Sequence, residues 1–217
     1  MKRINLFLGH YGTGKTNIAL NFALMIKNNV IVYDLDIVNP YFRTLDGQDI
    51  LEENNIELIA SDYANTNVDC PAMNPECYRM IREKDKFAVI DVGGDDRGAY
   101  ALGRFRNEIL KENDYDMFLI INKYRYETRT PEETLEIMKE IEEVAGIKFT
   151  AIINNSNLGN ETTKETILSS IDYAKKVSKL TGLEVKYTSV RSDLVKEVEG
   201  QIDNIRPLNL INYGLWV

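Results

Sequence analysis

Near its start the chain carries Gly9-His10-Tyr11-Gly12-Thr13-Gly14-Lys15-Thr16. The stretch has the form G-x-x-x-x-G-K-[ST], whose residue types suit the enclosure of a phosphate. Glycines at 9, 12 and 14 let backbone N–H groups converge where side chains would block the approach. Lys15 offers a cation to the β- and γ-phosphates, and Thr16 offers a hydroxyl to a magnesium ion. The expected nucleotide cradle is the whole loop: Gly9, His10, Tyr11, Gly12, Thr13, Gly14, Lys15 and Thr16.

Further residues carry chemistry that suits the same ligand. Asp34 and Asp36 lie two apart where the apolar run 30–34 ends. At a strand's carboxyl tip, one of such a pair can hold magnesium through water while the other faces an attacking water. The run 87–91 delivers Asp91 in the same way, and Gly93 and Gly94 behind it let backbone approach a γ-phosphate and move when it leaves. Arg97 follows closely and is a candidate for stabilising transition-state charge. The run 148–154 ends in Asn154, followed by Asn155, and amides at that tip can meet both donor and acceptor edges of a purine. Asn122-Lys123-Tyr124-Arg125 begins like the Asn-Lys-x-Asp motif that reads guanine, but arginine stands where the aspartate is needed. That weighs against GTP.

Holding these groups together requires strands that end beneath them. Apolar runs at 4–8, 30–34, 56–60, 87–91, 116–122, 148–154 and 183–189 read as strands. Helical spacing or start signals mark 17–27, 46–55, 75–82, 98–111, 131–146, 161–180 and 192–199. Asn74-Pro75 and Thr130-Pro131 are N-cap and first-turn pairs. The alternation implies a single three-layer α/β domain over 1–217, with a mostly parallel sheet of about seven strands and helices on both faces. Residues 203–217 form an apolar tail. A membrane-surface helix would need lysine and arginine along a polar face, but this tail has only Arg206 and is interrupted by Gly214. Packing on the domain or on a partner is the expectation.

Composition narrows the class. At 217 residues the chain can bury about 70% of its unfolded surface. A net charge of -8 argues against a broad nucleic-acid surface. Cys70 and Cys77, the only cysteines, are too few for a disulfide framework or a four-thiolate zinc site. Free thiols are expected, with Cys77 on a buried helix face; a metal site shared between two subunits is the alternative. No apolar run approaches the roughly 18 residues that span a bilayer, and no signal peptide precedes the first strand. The expected location is the cytoplasm.

In order and spacing, GHYGTGKT, Asp34-Leu35-Asp36, Asp91-Val92-Gly93-Gly94 and an asparagine-ended strand resemble the MinD/ParA/CobQ/CobB group of P-loop NTPases, in the SIMIBI class. The resemblance covers roughly residues 3–190. It implies a site for ATP and Mg²⁺ in which Asp34 lies in the magnesium shell and Asp36 orients the attacking water. Asp91 would be the acid beside the metal, and Asn154 the adenine contact. The chain departs from the group at His10, its one histidine. There the MinD/ParA branch has a lysine that reaches the partner's nucleotide across a homodimer; Arg97 or Arg43 could replace it. The implied activity is an ATPase acting as a nucleotide-dependent switch, as a homodimer or towards a partner protein. One alternative is an ATP-dependent small-molecule kinase or ligase resembling dethiobiotin synthetase, with Tyr41, Arg43 and residues 61–73 lining its pocket. Another is a nucleotide sensor that hydrolyses weakly.

Overall fold

The computed structural model describes residues 1–36, 47–60, 74–94 and 96–211, apart from the side chains of 96 and 97. Tyr41, Arg43, Cys70, the rest of 61–73 and the end of the tail from 212 lie outside the described residues.

The apolar runs become a sheet of eight strands: β1 (Ile4–Leu8), β2 (Val30–Leu35), β3 (Glu57–Ile59), β4 (Phe87–Val92), β5 (Tyr115–Ile121), β6 (Ala151–Asn154), β7 (Glu184–Arg191) and β8 (Ile205–Leu208). Their order is β3-β2-β4-β1-β5-β6-β7-β8, and every neighbouring pair is parallel. Parallel neighbours need crossovers, and these are supplied by α1 (Lys15–Ile26), α2 (Gln48–Glu53), α3 (Arg79–Arg82), α4 (Asp96–Gly103), α5 (Arg106–Glu112), α6 (Pro131–Ala145), α7 (Lys164–Thr181) and α8 (Val195–Val198). Because helices cover both faces, the central strands are buried along their length and mostly apolar; all five residues of β1, Asn5 among them, are buried.

Alternation along the strands divides the core in two. Phe7, Val32, Val89 and Phe118 face Ile18, Leu20 and Ala23 of α1 and Leu51 of α2. Leu6, Tyr33, Ile90 and Leu119 face the other layer, with Phe105, Met138, Tyr173 and Val177. Phe7 lies 5.2 Å from the Phe22 ring and 5.3 Å from Phe118. Aromatic pairs of this kind contribute about 0.5–1.5 kcal/mol each beyond area burial, and this cluster seats α1 on the central strands.

Several elements differ from their sequence expectations, each for a local reason. The sheet has an eighth strand, drawn from the expected tail: residues 205–208 pair with β7. Side chains of α1 hold the chain beyond it, with Asn21 Nδ2 donating to Asn209 O at 2.8 Å and Ile211 N donating to Asn17 Oδ1 at 3.0 Å. The strand expected at 148–154 starts only at Ala151, since the Phe149 N–H is turned to the Glu142 carboxylate of α6 at 3.0 Å. The helix expected at 98–111 is two helices, divided where Phe105 turns into the core and meets the Tyr78 ring at 5.0 Å. The helix expected from 161 begins at Lys164, because Thr163 caps it and accepts from Thr166 N at 3.3 Å. Thr130 and Glu133 form the capping box of α6. Asn74 caps as expected, but it opens a 3₁₀ turn over Pro75–Tyr78 before α3. No helix among the described residues is long and apolar enough to cross a membrane.

Cys77 is 1% exposed in the core. Burial first, then the neighbouring charge of Asp34, pushes its thiol from the ordinary 9.0 up to about 12. A raised thiol value favours the neutral form in the fold, so this contribution to stability is complete below pH 9.0 and is lost as pH rises towards about 12. In a Cys70→Ser background, a thiol reagent at any pH up to 9.0 should therefore label Cys77 only as the protein unfolds. Rapid labelling of the native protein would contradict this placement.

Candidate functional site

The loop between β1 and α1 leaves the sheet's centre, between β4 and β5. Its backbone path demands glycine at two points. At Gly9 a Cβ would lie 2.3 Å from the Ile120 carbonyl oxygen, so the loop can hug β5 only without a side chain. Gly14 is left-handed (φ 87°), and a Cβ there would meet Asn155 Nδ2 at 2.4 Å. The helix that follows has no side-chain cap and no acid in its first turn. A helix start of this kind can receive an anion at its first turn and at the positive end of its dipole. The loop is braced on one carbonyl: Thr13 Oγ1 at 2.8 Å and Lys15 Nζ at 3.3 Å both donate to His10 O.

The tips of β2 and β4 complete the arrangement. Thr16 Oγ1 donates to Asp91 Oδ2 at 2.6 Å. Asp34 and Asp91 are register partners on adjacent strands, 5% and 1% exposed. Asp34 Oδ1 accepts the backbone N–H of Asp36 at 2.8 Å, which ties the two carboxylates into one turn. The glycine pair lies across the loop. A methyl at Gly94 would stand 2.7 Å from Lys15 Nζ and 2.8 Å from Tyr11 N, and one at Gly93 would stand 3.1 Å from Asp36 Oδ1. Lys15, Thr16, Asp34, Asp36, Asp91, Gly93 and Gly94 are therefore gathered at the carboxyl ends of β1, β2 and β4, where open α/β sheets bind ligands. Among the described residues no cluster of three or more His, Cys, Asp or Glu could hold a metal by itself. The hard oxygens of Thr16, Asp34 and Asp91 nevertheless suit magnesium, which ordinarily takes one or two protein ligands and completes its shell with phosphates and water.

Not every expected residue arrives at this point. Asn154 is fully buried: its Nδ2 donates to Ser170 Oγ of α7 at 2.9 Å, and its Oδ1 accepts from Ser156 Oγ at 2.7 Å. Asn154, expected at a purine, is placed with its amide against α7 and Ser156. Asn155 turns the other way, with Nδ2 donating to Thr13 O at 2.7 Å and Oδ1 accepting from Ser189. It braces the phosphate loop from outside. Arg97 lies in the first turn of α4, but its side chain lies outside the described residues, as does Arg43. His10 pairs through Nε2 with Glu127, while Tyr11 is 52% exposed at the mouth.

Two contacts were not anticipated from the sequence. Glu127, in the 3₁₀ turn Tyr126–Thr128, reaches the loop through His10. Arg125 lies against Gly12: a methyl there would stand 3.2 Å from its Nε. The available signal was position, since both follow the carboxyl end of β5 beside the loop.

No family model and no curated protein sequence matches this chain. Solved structures match it in fold. The signal recognition particle receptor FtsY of Elizabethkingia anophelis, in complex with GDP, has a TM-score of 0.53 at 15% identity, covering 88% of this chain and 58% of that one. The cell division protein FtsY of Thermotoga maritima has a TM-score of 0.57 at 17% identity, covering 88% and 62%. The signal recognition particle 54 kDa protein of Aeropyrum pernix, in complex with GDP, has 0.52 at 15%, covering 86% and 41%. The chain thus spans 41–62% of the length of these proteins. At such identities the likeness is one of fold: a single α/β domain with a parallel eight-stranded sheet and helices around it.

The contact at Gly94 generates a direct test. Gly94→Ala should push Lys15 and the Tyr11 backbone aside. Overpacking of this kind costs about 1–3 kcal/mol, which would appear as a roughly ten- to hundredfold loss of nucleotide affinity. Circular dichroism should show a folded protein. Unchanged affinity would mean that Gly94 does not lie against the loop.

Proposed function

We propose that this chain binds a magnesium–nucleoside triphosphate, ATP in preference to GTP, and hydrolyses it as a switch. One observation carries the reading: Lys15 and Thr16 occupy the start of an uncapped helix, with Thr16 Oγ1 on Asp91 and Gly94 against Lys15. A triphosphate seated on the loop would take Lys15 from the His10 carbonyl to its β- and γ-oxygens. Thr16, Asp34 and Asp91 would hold the magnesium ion. When bound, that ion neutralises charge developing on the transferred phosphoryl group. Asp36, held through its N–H on Asp34, would orient the water, and Arg97 would support the departing charge.

The switch part of the reading rests on Gly93 and Gly94. A Cβ at Gly93 would crowd Asp36 and one at Gly94 would crowd Lys15, so both turns that flank the site would border a γ-phosphate seated there. Its loss would release the chain after β2 and after β4 together, altering the surface offered to a homodimeric or other protein partner. ATP over GTP is supported by the sequence alone: position 125 lacks the carboxylate with which an Asn-Lys-x-Asp motif reads guanine. The whole of 1–217 would act as one nucleotide-binding unit, with β8 part of it. The kinase or ligase alternative rests on Tyr41, Arg43 and 61–73, which lie outside the described residues.

Phosphate release from ATP and GTP, with magnesium and at several protein concentrations, tests the reading. Wild type should release phosphate faster from ATP, and Lys15→Ala should abolish binding or turnover. Specific activity that rises with protein concentration would support a dimer completing the site. Wild-type turnover in the Lys15→Ala protein would overturn the proposal.

A further inference from the structure

The segment from Asn122 to Thr128 leaves β5 and runs beside the phosphate loop, and nearly every polar side chain in it is committed. Asn122 Oδ1 accepts the Tyr124 N–H at 3.0 Å and the Asn157 N–H at 3.3 Å. Lys123 Nζ turns away to Ser169 O of α7 at 2.8 Å, and the Tyr124 hydroxyl donates to Thr166 O at 2.7 Å. Thr128 Oγ1 donates to Asn122 O at 2.8 Å. Glu127, the segment's carboxylate, is taken by His10.

Arg125 differs. Its side chain lies against the loop, with Nε and Cζ 3.2 and 3.4 Å from where a Gly12 Cβ would be. Its Nε is buried without a hydrogen-bond partner. Among the described residues the guanidinium has no ion-pair partner either, and the nearby Glu127 is already engaged. A guanidinium cannot shed its proton, so it remains a partly desolvated cation. Such groups are costly to leave unpaired. The ligand expected at this loop is an anion with planar sets of oxygens, which a guanidinium fork matches in shape as well as charge.

Resting on the nucleotide reading above, we propose that Arg125 is a phosphate-positioning residue. It would donate to non-bridging oxygens of the bound nucleotide from the β5 side, while Lys15 acts from the β4 side. The His10–Glu127 pair would serve as its bracket, tying the turn that follows Arg125 to the loop. The ligand class is a nucleoside di- or triphosphate, and the contact is to its phosphates, independent of the base.

The test is a set of dissociation constants for ATP, ADP, GTP, GDP and adenosine, each at several salt concentrations, for wild type, Lys15→Ala, Arg125→Met and Arg125→Lys. Methionine keeps the packing on Gly12 without the charge. A charge-assisted hydrogen bond of this kind implies that Arg125→Met weakens ATP, ADP, GTP and GDP by a common factor of about ten to a hundred. Adenosine should be unaffected, the salt dependence should flatten, and Arg125→Lys should recover part of the loss. Unchanged affinities in Arg125→Met would overturn the proposal while leaving the nucleotide reading intact, provided that wild-type binding depends on Lys15. A loss confined to adenine or to guanine nucleotides would also overturn it, making Arg125 a reader of the base. Should wild type bind none of these ligands, the nucleotide reading would fall and this inference with it.

Discussion

The structure depends on carrying the loop of residues 9–14 closely from the sheet's central strand into α1. That requires a tight left-handed path through Gly14 and a loop that passes against the Ile120 carbonyl at Gly9, where no Cβ fits. It also requires α1 to stay seated while its first turn is uncapped, and uncapped helix starts are weak. The aromatic cluster of Phe7, Phe22 and Phe118 holds the helix body, and the Thr16–Asp91 hydrogen bond holds its first turn. Packing remote from the ligand therefore supports a geometry that local propensity alone would not keep.

Both lips of the loop are fastened to neighbouring strand ends. On the β4 side, Gly94 borders Lys15 and Tyr11; on the β5 side, Glu127 holds His10 and Arg125 covers Gly12. Asn155 adds a third brace through the Thr13 carbonyl. The net charge is -8, so any attraction for an anion would be local, built from amides, a helix terminus and a few cations against the overall field. The carboxylates Asp34 and Asp91 sharpen that requirement, because a triphosphate can approach them closely only together with a cation.

The loop between β1 and α1 and the placement of Asp34 and Asp91 near strand ends were legible in the sequence because each follows an apolar run within a few residues. The parallel sheet was legible for the same reason. β8 was not, since Ile205-Arg206-Pro207-Leu208 is short and contains a proline tolerated at a sheet edge. It becomes a strand through β7. The break between α4 and α5 was hidden because Phe105 fits either a helix face or a turn into the core, and Tyr78 in another element decides which. Asn154 shows the limit most clearly. Its amide could chemically meet a purine, but the direction it faces is set by Ser170 of α7, distant in sequence. In the sequence Arg125 is only a missing aspartate; its proximity to Gly12 exists only in three dimensions.

The central claim is that a nucleoside triphosphate sits on the Gly9–Thr16 loop and is felt at the tip of β4. Backbone amide hydrogen exchange, followed with magnesium alone and then with ATP or GTP added, tests it most directly. Slowed exchange is expected in residues 9–18 and 91–94, and in the second segment more strongly for a triphosphate than for a diphosphate. Nucleotide binding that leaves those amides unchanged, or protects a different part of the sheet, would contradict it.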